Sequence, residues 1–133
     1  MKYLLDTQIV IWSLEDHQNI KGPVRNILEN PIHTLYVSPI SLIEISIKFK
    51  LGKLPQFVMS IEEVTKQMLN DGFELLPIEL GQIYAYQSIP IYEDHRDPFD
   101  RMLLAVSLHE QIPIISSDEK FERYKSLVSV ILN

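Results

Sequence analysis

The chain has no cysteine. That excludes a disulfide scaffold, a thiolate zinc site and a cysteine nucleophile, and it is compatible with a reducing compartment. No run reaches the roughly 18 consecutive apolar residues of a membrane helix. The opening Met1-Lys2-Tyr3-Leu4-Leu5-Asp6 meets an acid too early for a secretory leader, so a cytoplasmic location is expected. There is no internal repeat, low-complexity tract or linker, and a single domain spanning residues 1–133 is expected. Positive charge is also scarce: 12 Lys and Arg stand against 18 Asp and Glu, a formal net charge of −6. This argues against broad, non-specific nucleic-acid binding, which leans on Lys and Arg neutralising phosphates. It leaves a nuclease open, because a carboxylate cluster adds negative charge locally and bound cations reverse its sign.

What is present is 46% hydrophobic residues, enough for an ordinary core, in a pattern that alternates short apolar runs with helical stretches. The reading gives strands at Lys2–Asp6, Thr34–Val37, Phe73–Leu76 and Ile112–Ser116, and a last one within Leu127–Leu132. Between them come helices over Gln8–Leu14, Pro23–Glu29, Ser38-Pro39 to Leu51, a segment capped by Ser60 with Glu63 three residues on, Ile78–Ser88, Asp97-Pro98 to Glu110, and a short one over Asp118–Tyr124. Gly52 stands where a helix-terminating glycine belongs. Strands alternating with helices predict an α/β fold with a mainly parallel sheet, whose strand C-termini share one edge. Asp6 follows the first strand. Ser116 and Asp118 follow the fourth.

Two further acids lie on helices that begin near that edge. Ile40, Ile43, Ile47 and Leu51 recur at helical spacing, and Glu44 falls inside this stripe. A buried carboxylate there needs compensation: a salt bridge to a buried Arg or Lys, partial exposure at the stripe edge, or a cation. Asp100 heads the stripe of Leu103, Leu104, Ser107 and Leu108. Asp97 is placed as the cap of that helix, with Pro98 at its first position and Asp100 favourable to the helix dipole; an outer role at a metal is the alternative for Asp97. Asp6 and Asp118, taken singly, read as ordinary caps. Convergence of the four would be repulsive, about 4 kcal/mol for two charges ~4 Å apart at an effective dielectric of 20. Either some protonate or a hard cation sits among them, and Mg²⁺ or Mn²⁺ suits an all-oxygen set. The histidines (His17, His33, His95, His109) are scattered, and His95 is read as a surface residue. Basic residues near the acids that are candidates for guiding a nucleic acid are Lys48, Lys50, Lys53, Arg96 and Arg101. Trp12 is assigned to the core or an interface, and Tyr84 and Tyr86 are further interface candidates.

Four segments together resemble a known family: Leu4-Leu5-Asp6-Thr7, Ser41-Leu42-Ile43-Glu44-Ile45, His95-Arg96-Asp97-Pro98-Phe99-Asp100-Arg101-Met102-Leu103-Leu104-Ala105, and Ser116-Ser117-Asp118. These are similar to the motifs of PIN-domain nucleases, and with Lys48-Phe49-Lys50-Leu51-Gly52-Lys53-Leu54 to the VapC-type toxin branch. The resemblance implies a three-layer α/β/α fold around a central parallel sheet. It implies Mg²⁺- or Mn²⁺-dependent endoribonuclease activity on RNA, with Asp6, Glu44, Asp100 and Asp118 as the catalytic acids and metal ligands. Asp6 and Asp100 are the principal ligands on this reading, and the hydroxyls of Thr7 and Ser116 support them. It also implies a homodimer and a small antitoxin protein that blocks the site. Two alternatives share the fold: a non-catalytic binding module and a DNA nuclease. A phospho-acceptor receiver fits less well, since receivers place paired acids after the first strand and Asp6 is single.

Overall fold

The structure is a computed structural model that describes residues 1–133. In chain order its elements are β1 (Lys2–Leu5), α1 (Thr7–Glu15), α2 (Gly22–Glu29), β2 (Thr34–Val37), α3 (Pro39–Lys50), α4 (Ile61–Asn70), β3 (Glu74–Leu75), α5 (Leu80–Ala85), α6 (Pro98–Glu110), β4 (Ile114–Ser116) and β5 (Val130–Leu132). Two 3-10 turns, Tyr86–Ser88 and Glu119–Tyr124, complete it.

The five strands form one sheet in the order β3-β2-β1-β4-β5, and every pairing is parallel. β1 lies at the centre: Leu4 is paired with Tyr36 on one side and Ile114 on the other. Alternate residues serve opposite faces, as the two-residue period of a strand requires. Tyr3, Leu5, Leu35, Val37 and Ile115 join one buried cluster, which contains α1, Val24 of α2, Ile45 of α3 and Met68 of α4. Leu4 and Ile114 join a second with Leu103, Leu104 and Val106 of α6, Phe121 and Tyr124. Two cores on one sheet make the α/β/α layering that the family resemblance implies, around the parallel sheet that the sequence pattern predicts.

Local chemistry sets the helix starts. Ser38 accepts from Ile40 N, with Pro39 at the first position of α3. Ser60 and Glu63 form the expected capping box of α4, and Asp97 caps α6 ahead of Pro98. Gly52 follows α3 with φ +68°, a left-handed conformation that costs glycine nothing.

Two differences from the sequence reading matter. α3 does not bury the Ile43, Ile47 and Leu51 stripe. Those three are 47%, 40% and 62% exposed, and the buried positions are Ser41 and Ile45. Periodicity identified the helix but not the face, because apolar residues occupy both sides. Strand β3 is only two residues long, and both are exposed; it is a short sheet edge, which limits pairing with other chains.

Candidate active site

In an open α/β sheet, ligands bind outside the strand C-termini where the strand order reverses. Here that point lies between β1 and β4: β2 and β3 lie to one side of β1, β4 and β5 to the other. Asp6 directly follows β1, and its backbone N–H donates to Ile115 O of β4 at 2.9 Å. Asp118 stands two residues beyond β4. The N-terminus of α6 supplies Asp97 and Asp100, and the second turn of α3 supplies Glu44.

These residues line one cleft of about 540 Å³ with no hydrophobic side chain in its wall. Six acids face it, Asp6, Glu44, Asp97, Asp100, Asp118 and Glu119, against two lysines, Lys48 and Lys120. Asp100 is the hub. Its carboxylate lies within 4.8 Å of ligand atoms of Glu44 and Asp97, and in a second group within 4.8 Å of His95 and Asp118. Asp6 belongs to neither group but feels the charges of Asp100 and Glu44.

Each acid is held by its surroundings. Asp6 accepts from Thr7 N at 2.7 Å through Oδ1 and from Ser116 Oγ at 2.7 Å through Oδ2. Thr7 Oγ1 donates to Glu44 Oε1 at 2.7 Å and pairs with Ser41 Oγ at 2.9 Å. Ser116 Oγ also accepts from Asp118 N at 3.0 Å, so one buried hydroxyl ties the ends of β1 and β4 together. Asp118 Oδ1 caps the following turn through Lys120 N. Asp97 Oδ1 accepts from Phe99 N at 2.8 Å, the cap expected of it, and its carboxylate also faces the cluster.

No lysine or arginine forms an ion pair with any of the four motif acids. This removes the salt-bridge explanation of Glu44. The electrostatic consequence is large. Burial, then the charge of Asp100, raises the Asp6 carboxyl to about 7 against the lowering effect of its own hydrogen bonds. Burial, then Asp97, Glu44 and Asp118, raises Asp100 to about 7, with Lys48 opposing. A crowd of oxygen donors that resist ionising together is chemically suited to a hard divalent cation.

A PIN-domain family model matches residues 3–127. The chain belongs to the PIN-domain family. Solved structures similar to this PIN domain include VapBC2 from Rickettsia felis bound to a promoter DNA fragment, at 16% identity and TM-score 0.66, covering 99% of this chain and 98% of that one. DNA-bound VapBC from Salmonella typhimurium aligns at 15% identity and TM-score 0.67, covering 98% and 97%. A toxin-antitoxin complex from Klebsiella pneumoniae aligns at 18% identity and TM-score 0.61, covering 97% and 95%. Comparison with curated proteins gives no significant sequence match.

Two residues of this PIN domain stand elsewhere than the sequence suggests. Arg101 is only 8% exposed. Its guanidinium donates to Tyr86 Oη at 2.8 Å and Ile89 O at 3.0 Å and lies over the Tyr86 ring. It clamps the segment before α6 and is turned away from the cleft, because on a helix the neighbour of a cleft-facing residue points about 100° away. His95 is not a surface residue: it is 4% exposed and contacts Asp100 directly. Of the other basic candidates Lys48 lines the cleft, whereas Lys50, Lys53 and Arg96 are exposed and outside its wall. Lys120 also lines it, placed by the turn that Asp118 caps.

Proposed function

We propose that this PIN domain is a divalent-cation-dependent endoribonuclease of the VapC type, the toxin of a type II toxin-antitoxin pair. The observation that carries the reading is the acid cluster: Asp6, Glu44, Asp100 and Asp118 come from four separate elements and face one polar cleft, and none forms an ion pair with a lysine or arginine. Such an arrangement is costly to a protein with no cation to place there.

Asp6 and Asp100 are the principal ligands in this proposal, with Glu44 and Asp118 completing the set for Mg²⁺ or Mn²⁺. Bound there, the ion supplies Lewis acidity to a phosphoryl oxygen and to the attacking water. The protein's own residues do the positioning. Thr7 and Ser116 fix the orientation of Glu44 and Asp6 through buried hydroxyls. Lys48 and Lys120, both in the cleft wall, are the cations that would meet the phosphates of a single strand. The reaction is hydrolysis of a phosphodiester bond, and the wall offers no Ser-His pair or other side-chain nucleophile.

RNA as substrate, an antitoxin and a homodimer follow from the VapC resemblance. The structural neighbours support the partner, since one is a toxin-antitoxin complex. Exposed Ile43 and Ile47 on α3 and Leu80, Ile83 and Tyr84 on α5 offer uncovered apolar surface for such contacts.

The test is cleavage of a cellular RNA pool and of matched RNA and DNA strands by protein freed of any co-purifying partner. It is run with Mg²⁺, Mn²⁺ or EDTA, beside Asp6→Asn and Asp100→Asn. Metal-dependent cutting of RNA at few sites, lost in both variants, is the expected result. Cutting of DNA alone moves the assignment to a DNA nuclease. No cutting of either by folded, partner-free protein leaves a binding module.

A further inference from the structure

We propose that Tyr124, His95 and Asp100 form a hydrogen-bonded relay in which His95 is a positioning residue that fixes the Asp100 carboxylate for a cation. The inference deepens the reading above and rests on a cation binding in this cleft.

Both ring nitrogens of His95 are used. Nδ1 lies 2.7 Å from Tyr124 Oη and Nε2 lies 2.9 Å from Asp100 Oδ2. With a cation bound Asp100 is ionised and only accepts, so in that state Nε2 carries the proton that faces it, and in the neutral ring Nδ1 then accepts from the tyrosine hydroxyl. Burial keeps the Tyr124 phenol protonated and therefore a donor. The relay thus has one direction: Tyr124 to His95 to Asp100.

The ring has little freedom to leave this pose. It lies 5.8 Å from the Phe121 ring and 5.5 Å from the Tyr124 ring. Tyr124 in turn packs 5.3 Å from Tyr92, and His95 N donates to Tyr92 O at 3.1 Å. Asp100 Oδ2 is therefore anchored on a rigid support, while Oδ1 has no protein donor. A buried histidine can satisfy its two nitrogens on any partner in the core. This one spends its second nitrogen on the acid shared by both carboxylate groups of the cleft. Partners that orient a metal's ligands change metal affinity or activity about 10–100-fold when removed.

The experiment compares two substitutions of similar packing cost. Glutamine places its amide nitrogen near the Nε2 position and keeps the donation to Asp100. Asparagine places it near Nδ1 and loses that donation. Mn²⁺ is titrated into wild type, His95→Gln, His95→Asn and Tyr124→Phe, with free Mn²⁺ read by electron paramagnetic resonance, folding checked by circular dichroism, and Asp100→Asn as the reference for loss. Affinity within about 3-fold of wild type for His95→Gln and a loss of about 10–100-fold for His95→Asn is the expected pattern. Equal losses in the two, or no loss in His95→Asn, overturn the relay. If His95→Asn does not fold, Tyr124→Phe decides: it keeps the ring, and a several-fold weaker Mn²⁺ affinity supports the relay while an unchanged one overturns it. Wild-type protein that binds Mn²⁺ but cuts no RNA removes the ribonuclease reading and leaves the relay open to the same comparison. Wild-type protein that binds no Mn²⁺ removes both.

Discussion

Asp100 stands among carboxylates, and burial together with Asp97, Glu44 and Asp118 raises it from 3.8 to about 7. A carboxyl raised on folding holds a proton that the unfolded chain has already released. Its stabilising contribution is therefore full below about pH 4 and is lost as pH rises through about 7. Without divalent cation, Asp100→Asn is expected to melt above wild type at pH 8, with the gap narrowing as pH falls and closing only below about pH 4; calorimetry in EDTA checks this. The substitution is chosen because its carbonyl oxygen can still accept from His95 Nε2, the one hydrogen bond Asp100 makes to a side chain. Arg101 gives the opposite kind of prediction. Its guanidinium is buried on Tyr86 and Ile89, so Arg101→Met is expected to cost roughly 2–4 kcal/mol of stability. The affinity of the folded fraction for RNA should be unchanged. Denaturant unfolding and a binding assay below the melting point separate the two effects. Asp6, Asp100 and Asp118 were legible in the sequence because each follows a strand or heads a helix, and Glu44 because it interrupts a run of apolar residues. His95 was not, because its partner Tyr124 lies 29 residues away and nothing local marks the pair.

Among the elements, α6 carries Asp100 and its cap Asp97 and ends under strain. Gln111 closes it in the left-handed region at φ +56°, where a side chain costs roughly 1–2 kcal/mol. Gln111→Gly is expected to raise stability by about 1 kcal/mol, measured as a higher urea midpoint at unchanged slope. The sequence named Gly52 as a helix stop because glycine announces that conformation; a glutamine in the same role carries no signal. α3 shows the converse limit. Its boundaries follow from Ser38, Pro39 and Gly52. Its inward face does not, since Ile43 and Ile47 have the spacing of a core stripe yet face outward. Hydrophobicity reports that a surface is to be covered, not whether the cover is the sheet beneath or another molecule. Glu44 reaches the cleft all the same, next to the buried Ile45 and one turn before Lys48.

For the molecule as a whole, net charge and the acid cluster work in the same direction until a cation binds. Mn²⁺ at about 100 times its dissociation constant is expected to stabilise by about 2.7 kcal/mol, a melting shift of roughly 10 °C that Asp6→Asn abolishes. Thermal melts in EDTA and in Mn²⁺ give the comparison. Binding of RNA to Asp100→Asn, which should not cut, is expected to weaken as salt rises. Replacing Lys48 and Lys120 with alanine should flatten that slope by about two phosphate contacts, or roughly 1.4 in log–log units for a single strand. A slope unaffected by both changes would place the RNA elsewhere. A parallel α/β sheet was readable from the alternating periods and its three layers from the family resemblance, whereas the strand order and the unequal strand lengths were not, because a strand's neighbours and its end are set by the rest of the sheet as much as by its own residues.

The bond from Ser116 Oγ to Asp6 spans 110 residues. During synthesis the first strand waits for the fourth, roughly 6–20 s at 5–20 residues per second. The full carboxylate cleft therefore comes into being only after the ribosome has passed codon 118. A chain cut short anywhere before that point lacks Asp118, so unfinished copies carry an incomplete acid cluster.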